Sequence, residues 1–233
     1  MKKDEFLGIL GGMGPEAGVE FARILIEKTS VQRDQDHLPF LLLNWPRIPD
    51  RTAYLLGEGP DPVPFIKEGI RILKGAGATH IAIPCNTAHA FMERIGAPED
   101  VKLYDMLQVA LEWTEKKHPS VERVGVLATK GTLISGIYRR YFGKYSLILP
   151  SEEEQEVVHR VIYSLAKVGK MAEASLEFLK VADSLRKRGA QAVILGCTEI
   201  ETALRKVRFA LPFVKPMEAL AERIVCDFKV RCK

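Results

Sequence analysis

The sequence predicts an α/β protein of two pseudo-symmetric lobes, each a mainly parallel sheet flanked by helices, with a site in the cleft between them. Three observations predict it. Apolar, β-branched runs alternate with segments of helical period, as in parallel strands joined by crossover helices. Two of those runs end in a cysteine motif, IPCNTAH at 83–89 and LGCTEI at 195–200. The stretches around them superpose without a gap at an offset of 112 residues, Leu73 on Leu185, Lys74 on Arg186, Gly77 on Gly189, Ala78 on Ala190 and Cys85 on Cys197.

In chain order, 5–10 reads as a strand, GGMGP as a loop and 16–29 as a helix. A strand at 40–43 and a helix at 63–75 follow, then a strand at 79–83 that Pro84 terminates just before Cys85. A short strand at 102–104 and a helix at 106–117 complete the first copy. The second has a strand at 123–128, a helix at 133–142 and a strand at 145–149. Helices at 152–166 and 171–188 lead to a strand at 191–195 before Cys197, and a helix at 218–230 closes the chain. GILGGMGP at 8–15 aligns with GVLATKGT at 125–132, and DMLQVALE at 105–112 resembles PMEALAER at 216–223. Residues 1–104 are expected to form one lobe and 105–215 the other, with 216–233 packing back on the first. Ligands of open α/β sheets bind at the carboxyl ends of strands. Gly11 to Pro15, Cys85, Thr129 and Cys197 all fall at such ends.

Composition narrows the class. With 47% hydrophobic residues in 233, the chain can bury a sizeable core. No apolar run reaches the ~18 residues of a membrane span. The start, MKKDEFLGILGG, has lysines and an apolar stretch but reads as a first strand rather than a leader, so a cytoplasmic protein without a membrane partner is expected. A net charge of +4 without basic–aromatic clusters argues against nucleic acid. Cys85, Cys197, Cys226 and Cys232 form no CxxC pair and no zinc spacing, and the last two read as one packed and one exposed thiol.

The matched cysteines are the chemical signal. Each precedes an expected helix, where a thiol pKa falls, and each is followed by polar residues, Asn86 and Thr87 or Thr198 and Glu199. A small buried residue is the commoner fate of one free cysteine, but two at matched positions of a repeat point to function. Cys85 and His89 could share a metal, yet Glu201 stands at the position matching His89 and the site would be incomplete. A disulfide between the thiols is conceivable, though a reducing compartment disfavours it. GGMGP is either a tight turn with Pro15 at the first helical position or a nest of backbone N–H groups for a carboxylate. Its counterpart Thr129 to Thr132 favours the second. Arg51 and Lys167 lie in loops, where a cation is usually solvated, and a dianionic substrate would need such cations.

Together GILGGMGP, IPDRTAY, IPCNTAHA, LATKGT, GIY and GCTE, in this order from Phe6 to Val225, resemble the aspartate/glutamate racemase superfamily. The resemblance implies two α/β lobes, a homodimer, no cofactor and no metal. It implies that Cys85 and Cys197 are the two acid/bases, that Arg51, beside Asp50, reads a side-chain carboxylate and that Lys167 is the second charged contact. It further implies that Asn86, Thr87, Ala88 and Thr198 contact the amino acid, with Thr129 and the Met13 loop lining the site. Trp45 departs from the family pattern and would narrow the loop before Arg51. The activity so implied is interconversion of L- and D-aspartate. One thiolate would remove the α-proton while the opposite thiol returns one, and cysteine with an ordinary pKa of ~8.5 suits both roles. Alternatives are a racemase for glutamate or a broader set of amino acids, a maleate-isomerase or arylmalonate-decarboxylase type of reaction, and a non-catalytic dicarboxylate-binding protein. The presence of both thiols disfavours the last two.

Overall fold

A computed structural model describes residues 5–230 of the chain. Cys232 lies outside the described residues. The first half runs β1 (Leu7–Gly11), α1 (Pro15–Lys28), β2 (Phe40–Asn44), α2 (Arg51–Leu55), α3 (Val63–Gly75), β3 (His80–Ala82), α4 (Met92–Ile95), β4 (Lys102–Leu103) and α5 (Met106–Lys117). The second runs β5 (Arg123–Ala128), α6 (Lys130–Ile134), α7 (Ile137–Phe142), β6 (Ser146–Ile148), α8 (Glu152–Ser164), α9 (Met171–Lys187), β7 (Ala192–Gly196), α10 (Thr198–Leu204), β8 (Phe213–Val214) and α11 (Pro216–Asp227).

The strands form two four-stranded sheets, ordered β2-β1-β3-β4 and β6-β5-β7-β8, and every pairing is parallel. Helices on both faces bury all of β1 and β7, which is why those strands read as unbroken apolar runs. Side chains alternate across the sheet. Leu7 and Ile9 join one cluster with Phe21 and Ile24 of α1, and the same cluster contains Met217, Leu220 and Ile224 of α11. Leu10 faces the other way, with Ile66 and Leu73 of α3. In the second sheet Leu127, Val193 and Leu195 pack with Phe178 and Leu185 of α9, while Val124, Val126 and Ile194 pack with Leu107 of α5 and Phe142 of α7.

The pseudo-symmetry extends to single atoms. A Cβ on Gly8 of β1 would sit 3.0–3.1 Å from the Cβ atoms of Ala78 and Leu73. A Cβ on Gly125 of β5 would sit 3.2–3.4 Å from those of Leu185 and Ala190, the residues that match Leu73 and Ala78 in the repeat. Both glycines let a later helix lie against the first strand of its sheet, α3 on β1 and α9 on β5, so the same packing problem has the same solution twice. No helix among the described residues is long and apolar enough to cross a membrane.

Some elements differ from the sequence pattern. The helix expected at 133–142 is two helices, because Gly136 adopts φ 69° and starts α7 on a new axis. The helix expected at 152–166 stops at Ser164, and a 3-10 turn at Ala166–Val168 carries Lys167. The closing helix begins at Pro216 and ends at Asp227 rather than spanning 218–230. After Cys85 the chain makes a 3-10 turn, Thr87–Phe91, instead of a regular helix. The short α2, α10 and β8 have no periodic signal of their own; α2 starts where the Asp50 side chain accepts from Ala53 N–H.

Candidate active site

The loops at the carboxyl ends of β1, β3, β5 and β7 meet between the lobes and enclose a cavity of about 10 Å³, roughly the room for one water. Its walls include Met13, Asp50, Arg51 and Thr52 from the first lobe, with Cys85, Asn86 and Thr87 after β3. The second lobe supplies Thr129, Tyr163, Lys167, Cys197, Thr198 and Glu199. Of the residues expected from sequence, Ala88 alone is not brought to it. Ala88 is fully buried in the apolar cluster with Ile83 and Phe91, because the 3-10 turn directs it inward. Trp45 lines neither this cavity nor its neighbour. Its backbone instead lies on Gly12, where a Cβ would be 2.2 Å from the Trp45 carbonyl carbon, and the φ of +95° there suits glycine.

The two thiols are both buried, at 4% and 6% exposure, but their settings differ. Cys197 occupies the N-cap of α10, and its Sγ donates to Glu199 Oε2 at 2.9 Å. Thr198 Oγ1 donates to the same oxygen at 3.0 Å. Burial, then the charge and hydrogen bond of Glu199, push the Cys197 thiol well above the usual thiol range, against the opposing Glu199 backbone contact and Lys167. The lowering expected of a helix N-terminus is therefore reversed, because a dry site and an adjacent carboxylate outweigh one short helix. Cys85 instead faces the Arg51 guanidinium. Burial lowers the Arg51 pKa, but Cys85, Asp50 and Glu199 more than offset this and the net shift is upward.

Arg51 is only 7% exposed and is held by backbone. Its Nη1 donates to Pro49 O at 3.0 Å and its Nη2 to Met13 O at 3.1 Å, tying the α2 entry to the loop after β1. Nε of Arg51 and Nδ2 of Asn86 are buried with no protein partner. Two unsatisfied donors on the walls of one cavity call for an acceptor there. Lys167 lies 3.3 Å from Asp50 Oδ2 and 3.9 Å from the centroid of the Tyr163 ring. Tyr163 donates to both Asp50 oxygens, at 3.1 and 3.0 Å. Burial raises the Asp50 pKa, but the Ala53 N–H, Lys167, Arg51 and Tyr163 outweigh it and the net shift is downward. Asp50 thus anchors Lys167 and Tyr163 across the cleft while capping α2.

Four threonines also cross the lobe boundary. Thr52 donates to Thr129 at 3.0 Å, and Thr87 and Thr132 are 2.7 Å apart. The sequence does not point to Thr52 or Tyr163; Thr132 enters only as the end of the loop counterpart at 129–132 and Glu199 only as a polar neighbour of Cys197. Glu199 stood in GCTE, and its mismatch with Thr87 in the repeat is the signal that could have found it.

His89 and Glu201, matched in the repeat and both buried, hold equivalent helices. His89 Nε2 accepts from Met106 N–H at 3.0 Å, so the proton sits on Nδ1, which donates to Cys85 O at 2.8 Å. Burial lowers the His89 pKa, consistent with a neutral ring. Glu201 accepts from Met217 and Glu218 N–H at the start of α11, both at 2.9 Å. With both ring nitrogens committed, His89 is a helix anchor rather than a metal ligand. Among the described residues no group of three or more His, Cys, Asp or Glu side chains stands where it could hold a metal.

A second chamber of about 380 Å³ adjoins the first. It shares Asp50, Arg51, Lys167 and Glu199 with the inner cavity and adds Gly14, Pro15, Glu16, Pro46 and Ile48.

The chain is similar to known proteins along nearly its whole length. The chain is 24% identical over 229 residues to the broad specificity amino-acid racemase RacX of Bacillus subtilis, covering 95% of this chain and 97% of that one. It superposes on the aspartate racemase of Picrophilus torridus with a TM-score of 0.87 and 29% identity, over 98% and 96% of the two chains. An aspartate racemase homologue from Pyrococcus horikoshii shares the fold, with a TM-score of 0.73 and 21% identity over 96% and 98%. Residues 10–224 match the model of the Asp/Glu/Hydantoin racemase family, so this chain belongs to that family of isomerases.

Proposed function

We propose that the protein is a cofactor-independent racemase that interconverts L- and D-aspartate with Cys85 and Cys197 as its two bases. The observation that carries this reading is the pair of buried thiols, from equivalent strand ends, on the walls of one cavity with contrasting neighbours. A two-base reaction needs one base free and its opposite protonated. Cys197 is held as a thiol donating to Glu199; once it delivers its proton to the α-carbon it is left as the thiolate that removes a proton when the roles reverse. Cys85 faces the Arg51 guanidinium on the opposite wall of the cavity. The orphaned donors of Arg51 and Asn86, with the hydroxyls of Thr87, Thr129 and Thr198, receive carboxylate charge as it grows on the carbanion. Lys167 provides a second cation at the boundary with the outer chamber, and Met13 and Asp50 fix the two cations in place. The inner cavity shares Asp50, Arg51, Lys167 and Glu199 with the outer chamber, from which substrate enters. A homodimer completes this reading, as the resemblance implies.

A second reading, a broader amino-acid range, is favoured by the outer chamber, which could take side chains longer than that of aspartate. One experiment tests both. Each L- and D-amino acid is incubated with the protein in D₂O without added cofactor, and α-deuterium and the opposite enantiomer are measured. Aspartate is expected to give both. Exchange confined to other amino acids would replace the aspartate assignment, and no exchange with any would overturn the racemase reading.

A further inference from the structure

Tyr138 connects the two cysteine loops through one side chain. It lies on α7 of the second lobe in the GIY motif, 2% exposed. Its ring packs on Gly196, the residue before Cys197, where an added Cβ would be 2.8 Å from Tyr138 Cε2. Its hydroxyl donates to Oδ1 of Asn86, the residue after Cys85, at 2.7 Å. The kink at Gly136 makes this possible, because it turns α7 and carries the ring between the two loops.

The bond also sets the direction of an amide. Asn86 is 2% exposed and lines the inner cavity, and its Nδ2 has no protein partner. A side-chain amide has an acceptor face and a donor face. While Tyr138 donates to Oδ1, the NH₂ must occupy the other face. In the flipped orientation the Tyr138 proton would lose its acceptor, and a carbonyl oxygen would replace the free donor. Burial pushes the Tyr138 phenol well above its usual range, so it stays a donor at any working pH.

We propose that Tyr138 is a positioning residue that fixes the Asn86 amide so that Nδ2 donates to a substrate carboxylate between the two thiols. This rests on the racemase reading for its ligand. It makes the second lobe responsible for orienting a binding group of the first.

The test reads binding apart from turnover. Affinity for L-aspartate and for succinate is measured by calorimetry in the Cys85→Ser/Cys197→Ser protein, alone and with Tyr138→Phe, Asn86→Ala or both. Tyr138→Phe keeps the ring on Gly196 and removes only the hydroxyl. It is expected to weaken binding roughly tenfold, as for loss of one charge-assisted hydrogen bond. Asn86→Ala should weaken it at least as much, and the combination no further than Asn86→Ala alone. Asn86→Asp, which keeps the acceptor for Tyr138 but replaces Nδ2 by oxygen, should bind as poorly as Asn86→Ala. An unchanged affinity in Tyr138→Phe, or losses that multiply in the combination, would overturn the proposal, as would a parent that binds neither probe. Failure of the racemase reading shows separately, as absence of α-proton exchange in the native protein.

Discussion

Cys197 and Glu199 form a buried thiol–carboxylate pair, Sγ to Oε2 2.9 Å, at the N-terminus of α10. The matching position in the first lobe holds Thr87, so the pseudo-symmetry of the fold stops at the chemistry. Removing the carboxylate removes a charge that opposes the thiolate. Alkylation of Cys197 by iodoacetamide should therefore be slow at neutral pH and rise with pH. In Glu199→Gln the rise should come at lower pH. Mass-spectrometric rates across pH 6–10 (about the range in which thiols titrate) check this, and identical profiles would remove Glu199 as the cause.

Cys85→Ser and Cys197→Ser should each lose at least about 10²-fold in racemisation, the usual contribution of a positioned acid or base. Serine is too weak an acid to serve as the base, yet nearly isosteric, so thermal unfolding should change little. A single mutant can still exchange the α-proton of one enantiomer through its remaining thiol. Two variants that both racemise normally would dismiss the two-base assignment.

The architecture was legible because both lobes solve one packing problem with one sequence pattern. Gly8 on Leu73 and Ala78, and Gly125 on Leu185 and Ala190, are the positions at which the repeat aligns. The cavity walls were mostly legible because strand ends and polar loop motifs coincide. The hydrogen-bond partners were not. That Tyr163 and Lys167 share Asp50, or that Tyr138 reaches Asn86, depends on contacts between residues more than 50 positions apart, such as 86 and 138. No local period encodes those. A 3-10 turn follows Cys85 in place of the regular helix the pattern predicts, and Ala88 lies in the apolar cluster beside the cavity.

Arg51→Lys should cost stability as well as activity. The guanidinium ties Pro49 O and Met13 O together inside the cleft, and a lysine cannot reproduce that fork. Leaving a buried carbonyl unsatisfied costs ~1–3 kcal/mol. Urea unfolding should show a loss in that range, together with a fall in kcat/KM for aspartate. Unchanged stability with a loss confined to KM would mean that the guanidinium serves substrate alone. Lys167→Ala, whose partner Asp50 keeps its contacts with Tyr163 and Ala53 N–H, should instead raise KM with little change in stability.

Glu201 gives the fold a pH dependence with a definite sign. Burial raises its pKa to about 8, although the Met217 and Glu218 N–H groups pull it down. A protonated carboxyl still offers lone pairs to both N–H groups, so α11 remains anchored. Between the usual glutamate range near ~4.5 and about 8, the folded chain holds a proton that the unfolded chain has released. Its contribution is therefore fully present below the unfolded value and is lost as pH rises through the folded one. Stability should fall by several kcal/mol at most across that window, an order-of-magnitude figure from ~1.4 kcal/mol per pKa unit. Glu201→Gln stays neutral at every pH and should flatten the profile, with its largest advantage over the native chain near pH ~9. Urea unfolding of both proteins from pH ~5 to ~9 measures the difference. Parallel profiles would show that Glu201 keeps its charge in the folded state and that two backbone donors suffice to hold a carboxylate in an apolar core.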